Sequence, residues 1–470
     1  MNSLKSAYSI LYPISVRMIL TGKTNRSYPS VAERAASSFR GKRITLMGLG
    51  LLGRGVGDAA YLAECGADLI VTDLKPPERL RPSLEKLSHL PNIRYSLGKH
   101  MPGDFRDRDL IIRGAGVPED SPYLAMARSH GIPIRMSADL FVELAGIPVI
   151  GVTGTRGKTT VSFMIHEALE TAGVPTLLGG NIPGLSTLAL VSRAEEFRVA
   201  VLELDSWQLE GFKYPAQSPH IGVFTTFYND HVSYYRGDME RYLADKAAIF
   251  MNQKPGDTLI VGEQAAPALA RRYPQALSRA LLVSELDVDG WQLHVPGRHN
   301  RYNAACARAA ALAFGVDEGA IRFAIENFKG VPGRLELVRE GSGIRVYNDT
   351  AAVIPEAACA GLRALAGAPI TLIMGGKDKG NDIAELVRVI EEYGVRVILL
   401  PGTGSDLIAP RLSGVLRCDS LRSALGEALN LTPSGGSILF SPVFSSHGEF
   451  ANVYERGEHF LTTLDKVWTA

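Results

Sequence analysis

From residue 43 onward, hydrophobic positions fall in short unbroken runs and not in strict alternation. Runs at 43–47, 68–71, 148–152, 199–204, 221–225, 344–347, 370–374, 395–400 and 437–440 are too short for helices and largely apolar on both faces. That pattern predicts strands buried on both sides, as in parallel sheets covered by helices. Longer stretches with helical spacing separate the runs, for example 159–172. Strands alternating with helices predict an α/β fold with mostly parallel sheets.

The pattern also divides the chain. Residues 1–40 read as an appendage: 8–20 is apolar but broken by Pro13 and Arg17, and 22–40 is polar and rich in Ser and Arg. Three regions follow, at 41–147, 148–333 and 334–470, within the two to four domains that 470 residues allow. No apolar run reaches the roughly 18–20 residues of a membrane-crossing helix, so no membrane span is expected. No clean small-residue cleavage site follows the N-terminal apolar stretch.

Two strand ends carry glycine-rich turns. In the first region the strand at 43–47 runs into Gly48-Leu49-Gly50-Leu51-Leu52-Gly53, then a helix to Gly66, then a strand ending at Thr72-Asp73. This is the dinucleotide-binding pattern, in which a backbone approaches phosphates at a helix N-terminus. Alone it is a weak signal, and a nicotinamide cofactor is its usual reading. In the second region, Thr153-Gly154-Thr155-Arg156-Gly157-Lys158-Thr159-Thr160 follows the strand at 148–152. The strict phosphate-loop pattern requires Gly at 152, where this chain has Val152, flanked by Gly151 and Gly154. The physics survives that departure. Backbone N–H groups can cradle phosphate oxygens, Lys158 can reach the β and γ phosphates, and Thr159 can ligate Mg²⁺. Glu203, Asp205, Asp230 and His231 stand at the ends of the next predicted strands, where open α/β sheets bind ligands.

Charge and cysteines exclude some classes. A net charge of +1 gives no polyanion-binding surface, so nucleic acid is not an expected partner. The cysteines Cys65, Cys306, Cys359 and Cys418 form no CxxC pair, and free thiols in a reducing cytoplasm are expected.

The loop 153–160 resembles the ATP loop of the Mur ligase family, which builds the peptidoglycan stem peptide. Other segments carry the resemblance in order. Glu203-Leu204-Asp205-Ser206-Trp207-Gln208-Leu209-Glu210 is similar to the family's ELSSFQLE, Asp230-His231 to its DH, and Lys246 to its modified lysine. Gly297-Arg298-His299-Asn300-Arg301-Tyr302-Asn303 fits its GxHNxxN, and Tyr347-Asn348-Asp349 and Ser441-Pro442 complete the set. The resemblance spans about 41–470. It implies a Rossmann-like UDP-binding domain, a central P-loop ATPase domain, and a C-terminal Rossmann-like domain for the amino acid.

The implied reaction joins glutamate to UDP-N-acetylmuramoyl-L-alanine through an acyl phosphate made from ATP. The resemblance implies two Mg²⁺ ions, held by Thr159, Glu203, His231 and a Lys246 carbamylated by CO₂. Lys158 with these residues would form the catalytic set. Gly154, Thr155, Arg156, Gly157, Lys158, Thr159, Thr160, Asn300, Asn303, Arg334 and Asp349 would bind ATP. Leu51, Leu52, Gly53, Asp73, Lys75 and Asn181 would bind the UDP substrate, and Lys379, Ser446 and Val453 the glutamate. A monomeric cytoplasmic enzyme is implied.

The chain departs from the family at several points. DSKATN reads here Asp349-Thr350-Ala351-Ala352-Val353-Ile354, so a lysine and a hydroxyl are lost. Gly333 replaces a His, Asp205 a Ser, and His447 a Leu. The resemblance implies D-glutamate as the amino acid, and the changes near its pocket make L-glutamate, epimerised afterwards, the alternative. Folylpolyglutamate synthesis is a further alternative, though such enzymes usually lack the leading UDP domain. A nucleotide-binding regulator would have little use for Lys246.

Overall fold

The structure is a computed structural model that describes residues 29–468 apart from 52, 183, 231, 379, 447–449 and 451–452. His231, Lys379 and Leu52 therefore lie outside the described residues. The fold is α/β with three sheets. The first holds β1 (Arg43–Met47), β2 (Asp68–Asp73), β3 (Ile93–Leu97), β4 (Leu110–Arg113) and β5 (Ile134–Arg135), in the order β3-β2-β1-β4-β5. The second holds β6 (Val149–Thr153), β7 (Thr176–Gly180), β8 (Val199–Glu203), β9 (Ile221–Phe224), β10 (Thr258–Gly262) and β11 (Leu281–Val283), in the order β11-β10-β9-β6-β8-β7. Every pairing in these two sheets is parallel. The third holds β12 (Glu336–Gly341), β13 (Ile344–Asn348), β14 (Ile370–Met374), β15 (Arg396–Leu399), β16 (Leu416–Arg417) and β17 (Ser437–Phe440), in the order β12-β13-β17-β14-β15-β16. It is parallel except for the β12–β13 pair.

Strand order explains where chemistry can sit. β1 lies between β2 and β4, and β6 between β8 and β9. At each of these switch points the connections leave the central strand in opposite directions and open a crevice at the carboxyl end. The glycine turn after β1 and the phosphate loop after β6 occupy those crevices. Every residue of β6 and of β8 is buried, as the unbroken apolar runs predict.

The described chain groups into two compact units, one of residues 24–291 with 301–326, the other of 292–300 with 327–470. In the first unit, the sequence-marked appendage is partly core. The helix Val31–Phe39 opens with a capping box on Ser30, and Val31, Ala35 and Phe39 are buried. The Val31 N–H donates to Glu195 at 2.6 Å. The helix Arg54–Glu64 is fastened to the segment after β7: Ser186 and Ser137 both donate to the buried carboxylate of Asp58, at 2.5 and 2.8 Å. A buried Arg113–Glu210 ion pair, at the end of β4, adds a second tie in this unit. All four cysteines are buried and unpaired.

The second unit buries aromatic and branched side chains on both faces of its sheet. Phe440 of β17 stacks on Phe460 of the helix Val453–Val467, with centroids 4.4 Å apart and rings 7° from parallel. Both rings are buried. Removing a buried Phe side chain loses transfer free energy and leaves a cavity. Phe460→Ala should destabilise the unit by about 3–5 kcal/mol, read as a lower urea midpoint for the transition reported by its hydrogen exchange.

Candidate functional site

The phosphate loop is built by close approach of strand ends. β6 stops at Thr153, and Gly154 turns the chain at φ +142°. A Cβ at Gly154 would overlap Thr225 Oγ1 and lie 2.8 Å from the Thr226 nitrogen, so only glycine fits. Residues after β9 brace the loop. The Thr155 N–H donates to the Thr226 carbonyl at 2.7 Å and the Arg156 N–H to Thr226 Oγ1 at 2.9 Å. Thr225 donates to the Arg156 carbonyl at 2.6 Å. The Asn303 amide abuts Gly157. Thr159 and Thr160 stand in the first turn of the helix Lys158–Thr171, whose N-terminus faces any bound phosphate.

Two amines close over this loop. Lys158 Nζ donates to the carbonyls of Gly154 and Thr155 at 3.1 and 3.2 Å. Lys246 Nζ donates to the same Gly154 carbonyl at 2.8 Å and lies 4.8 Å from the Tyr242 ring centroid. Lys246 is 1% exposed. Burial, then the neighbouring Lys158 charge, holds its amine well below the ordinary lysine range. Taken alone, Asp245-Lys246 reads as a solvated surface pair; the structure corrects that reading, because both side chains are buried on the inner face of the helix Met239–Ala247. Asp245 pairs with Lys213.

Glu203 ends β8 and is buried. Its Oε1 accepts from Asn181 Nδ2 at 3.1 Å, and its carbonyl accepts from the Asn181 N–H at 2.7 Å. Asp205 caps the helix Ser206–Glu210, accepting the Gln208 N–H at 2.8 Å, so its charge is spent on a helix end. Asp230 lies 3.9 Å from the exposed Arg156 guanidinium. Among the described residues no cluster of three His, Cys, Asp or Glu side chains forms a ready metal cage. The donors present are hard oxygens, Thr159 and Glu203. They fit Mg²⁺, which keeps most of its waters and takes one or two protein carboxylates.

At the first glycine turn, Asp73 has a role the sequence does not predict. Its two oxygens accept the N–H groups of Gly50 and Lys75, both at 2.9 Å, so it shapes the turn. Lys75 Nζ is 3.8 Å from Asp73 and half-exposed. Leu51 is exposed at the tip. Gly53 opens the helix Arg54–Glu64, and Arg54 donates to Asn181 Oδ1 at 2.7 Å.

In the second unit, Asp349 is buried and also engaged. Oδ1 accepts from the Leu335 N–H at 3.0 Å and Oδ2 from Ser441 at 2.8 Å, and burial pushes its carboxyl up to about 7. Both oxygens thus accept hydrogen bonds from within the protein. Arg334 is exposed. Asn300 is buried and donates to the Pro296 carbonyl at 2.8 Å. Ser446 is buried, and the carbonyl of Val453 accepts from Thr350 at 3.2 Å.

Comparison with known proteins places this geometry. A model of the Mur ligase middle domain matches residues 152–285. A UDP-N-acetylmuramoylalanine–D-glutamate ligase of Roseiflexus sp. (strain RS-1) is 37% identical over 90% of this chain and 98% of its own length. The enzyme of the same name from Geobacter metallireducens is 33% identical, over 91% and 98%. The chain belongs to the Mur ligase family. Among solved structures, the UDP-N-acetylmuramate–alanine ligase of Thermotoga maritima is similar, with a TM-score of 0.56 at 18% identity over 91% of this chain and all of that one. A MurF ligase of Thermotoga maritima, solved with ADP, has a TM-score of 0.53 at 17% identity, over 85% and 94%. These two likenesses concern the fold.

Several residues of this ligase escape a reading by motif. Thr225 and Thr226 shape the phosphate loop from the end of a strand that sequence locates but cannot orient. Tyr302 donates to the Thr225 carbonyl at 2.9 Å, from inside the predicted asparagine motif. Arg456 is buried and donates to the carbonyls of Thr350 and Phe444, at 3.0 and 3.1 Å. It ties the Asp349-Thr350 turn to the segment after β17, and no motif marks it.

Two outcomes test the geometry. Gly154→Ala should abolish binding of a fluorescent ADP analogue, because the new methyl group displaces the loop from Thr225. Asp349 has a raised carboxyl, so the folded state holds its proton more tightly than the unfolded chain. Its contribution to stability is therefore present below about pH 4 and lost as pH rises through about 7. Asp349→Asn keeps an acceptor for Leu335 without that loss, and chemical denaturation should show its advantage over wild type growing from pH 5 to pH 8.

Proposed function

We propose that this ligase uses ATP to join D-glutamate to UDP-N-acetylmuramoyl-L-alanine in peptidoglycan precursor synthesis, releasing ADP and phosphate. The observation that carries the reading is the buried Lys246 amine set against the phosphate loop beside Glu203, in a chain collinear with curated D-glutamate ligases. A carboxylate does not condense with an amine in water to a useful extent. Moving the γ-phosphoryl group onto a carboxylate oxygen gives an acyl phosphate and ADP. The amine nitrogen then attacks the acyl carbon, the C–O bond to phosphate breaks, and the nitrogen gives up a proton.

The chain's own groups divide that work. The Lys158 ammonium and the N–H groups at the start of its helix hold the β and γ phosphates and offset the charge that develops on transfer. Gly154, Thr155, Arg156, Gly157, Thr159 and Thr160 shape that cradle, with Asn303 packed against it and Asn300, Arg334 and Asp349 as further nucleotide contacts. Mg²⁺, held by Thr159 and Glu203 with His231, would neutralise phosphate charge when bound. Leu51, Leu52, Gly53, Asp73, Lys75 and Asn181 receive the UDP substrate; Lys379, Ser446 and Val453 receive glutamate.

Lys246 suits carbamylation on physical grounds. Only a neutral amine attacks CO₂, and burial beside Lys158 favours the neutral form. The carbamate formed is an anion, so repulsion from Lys158 becomes attraction. Its remaining N–H can still donate to the Gly154 carbonyl.

Phosphate release with UDP-N-acetylmuramoyl-L-alanine should require D-glutamate. L-Glutamate turnover in its place is the outcome that Ala351 and Val353 favour, and silence with both isomers would refute the substrate assignment. Lys246→Ala should lose at least about a hundredfold in kcat, as removal of a preorganised charge does, and added formate or acetate should restore part of it. Full activity in the variant would remove Lys246 from the site.

A further inference from the structure

We propose that Arg54 is a positioning residue for Glu203, acting through Asn181, so that the turn after β1 sets the carboxylate that faces the metal. The inference rests on the reading of Glu203 as a metal-facing group. Arg54 is the first residue of the helix Arg54–Glu64, whose first turn has no acidic side chain. A cation at that end opposes the helix dipole, so local helix energetics do not account for it.

The hydrogen bonds do account for it. Arg54 Nη1 donates to Asn181 Oδ1 at 2.7 Å, and Asn181 Nδ2 donates to Glu203 Oε1 at 3.1 Å. A guanidinium only donates and a carboxylate only accepts. An amide between them satisfies both in one orientation, with its oxygen to Arg54 and its nitrogen to Glu203. The main chain repeats the register, because the Asn181 N–H donates to the Glu203 carbonyl at 2.7 Å. One carboxylate oxygen is thus held, while Oε2 makes no hydrogen bond among the described residues and is left for an ion.

The start of the helix cannot drift from the 181–188 segment. Gly57 lies so close that a Cβ there would be 2.6 Å from Ser186 Cβ. Asp58 anchors Ser186 on the same face. Arg54 therefore reaches Asn181 from a fixed base, across 127 residues of sequence.

Partners of metal-binding carboxylates tune affinity, and losing one costs roughly 10–100-fold. Arg54→Ala should weaken Mn²⁺ binding to the ADP complex, measured by electron paramagnetic resonance of free Mn²⁺, by about tenfold. The Mg²⁺ concentration for half-maximal phosphate release should rise in parallel, with the KM for UDP substrate moving less. Arg54→Lys should recover part of both, since an ammonium can still donate to Oδ1. Asn181→Ala should match Arg54→Ala in Mn²⁺ affinity, and the double variant should lose no more Mn²⁺ affinity than either single one. Unchanged Mn²⁺ affinity, with only the UDP-substrate KM raised, would show Arg54 to be a substrate contact and overturn the proposal. So would equal losses in Arg54→Lys and Arg54→Ala with a lowered melting temperature in both. Mn²⁺ binding needs no turnover, so a wild type that uses neither glutamate isomer would sink the substrate reading and leave this test standing.

Discussion

Two lysine amines converge on one carbonyl oxygen, that of Gly154. Two ammonium ions so placed, one fully buried, would repel by a few kcal/mol even at the effective dielectric of a protein interior. Burial and then the neighbouring Lys158 hold the Lys246 amine well below the ordinary lysine range, while Lys158 stays part-exposed at the mouth of the loop. Under the function proposed above, nucleotide phosphates against Lys158 and a carbamate at Lys246 would complete the arrangement.

That convergence is possible only because strand ends close to within backbone contact. With no side chain at Gly154, the Thr225 hydroxyl takes the vacant space and holds the Arg156 carbonyl. Tyr302 in turn holds the Thr225 carbonyl, so the loop is supported through two layers. On the other side of β6, the end of β8 carries Glu203 toward Asn181 and Arg54. The sheet order, β9-β6-β8, thus decides which chemistry meets at the phosphate loop. Rigid strands hold the reacting groups, and no described part of this cradle depends on a long loop for its position.

The sequence made the central strands legible because each is buried on both faces and reads as an apolar run. β1, β6, β8, β9, β13, β14 and β17 begin and end within a residue or two of the runs. Edge strands were less visible. β16 is two residues long and exposed, and β3 alternates only partly. β7 ends in Gly179-Gly180, which resembles a turn. At the site, the phosphate-loop pattern marked Lys158 and the strand end marked Glu203, while Asn181 and Lys246 were singled out only by the family resemblance. Motifs could not tell that Asp73 and Asp349 would spend both oxygens on their own backbone and neighbours. That depends on the path of the chain, as do the ties of Asp58 to Ser186 and of Arg456 to Thr350, which cross 128 and 106 residues. The helix Val31–Phe39 was hidden for a related reason: Ser-rich polar positions surround its three buried side chains.

The altered residues near the amino-acid pocket acquire a structural meaning from Arg456. The Thr350 carbonyl is held by Arg456, the Ala351 N–H donates to Gly333 at 2.9 Å, and the Ala352 carbonyl accepts from Val443 at 2.9 Å. These bonds use main chain at 350–352, so they are indifferent to side chains at 351 and 353. Loss of the family's lysine and hydroxyl there removes contacts without releasing the turn that carried them. Asp349, gripped by Leu335 and Ser441, fixes the other end of the same turn. A buried guanidinium bonded to carbonyl oxygens is costly to dislodge, because each donor would be left unpaired. The turn is therefore kept in shape whatever side chains stand at 351 and 353.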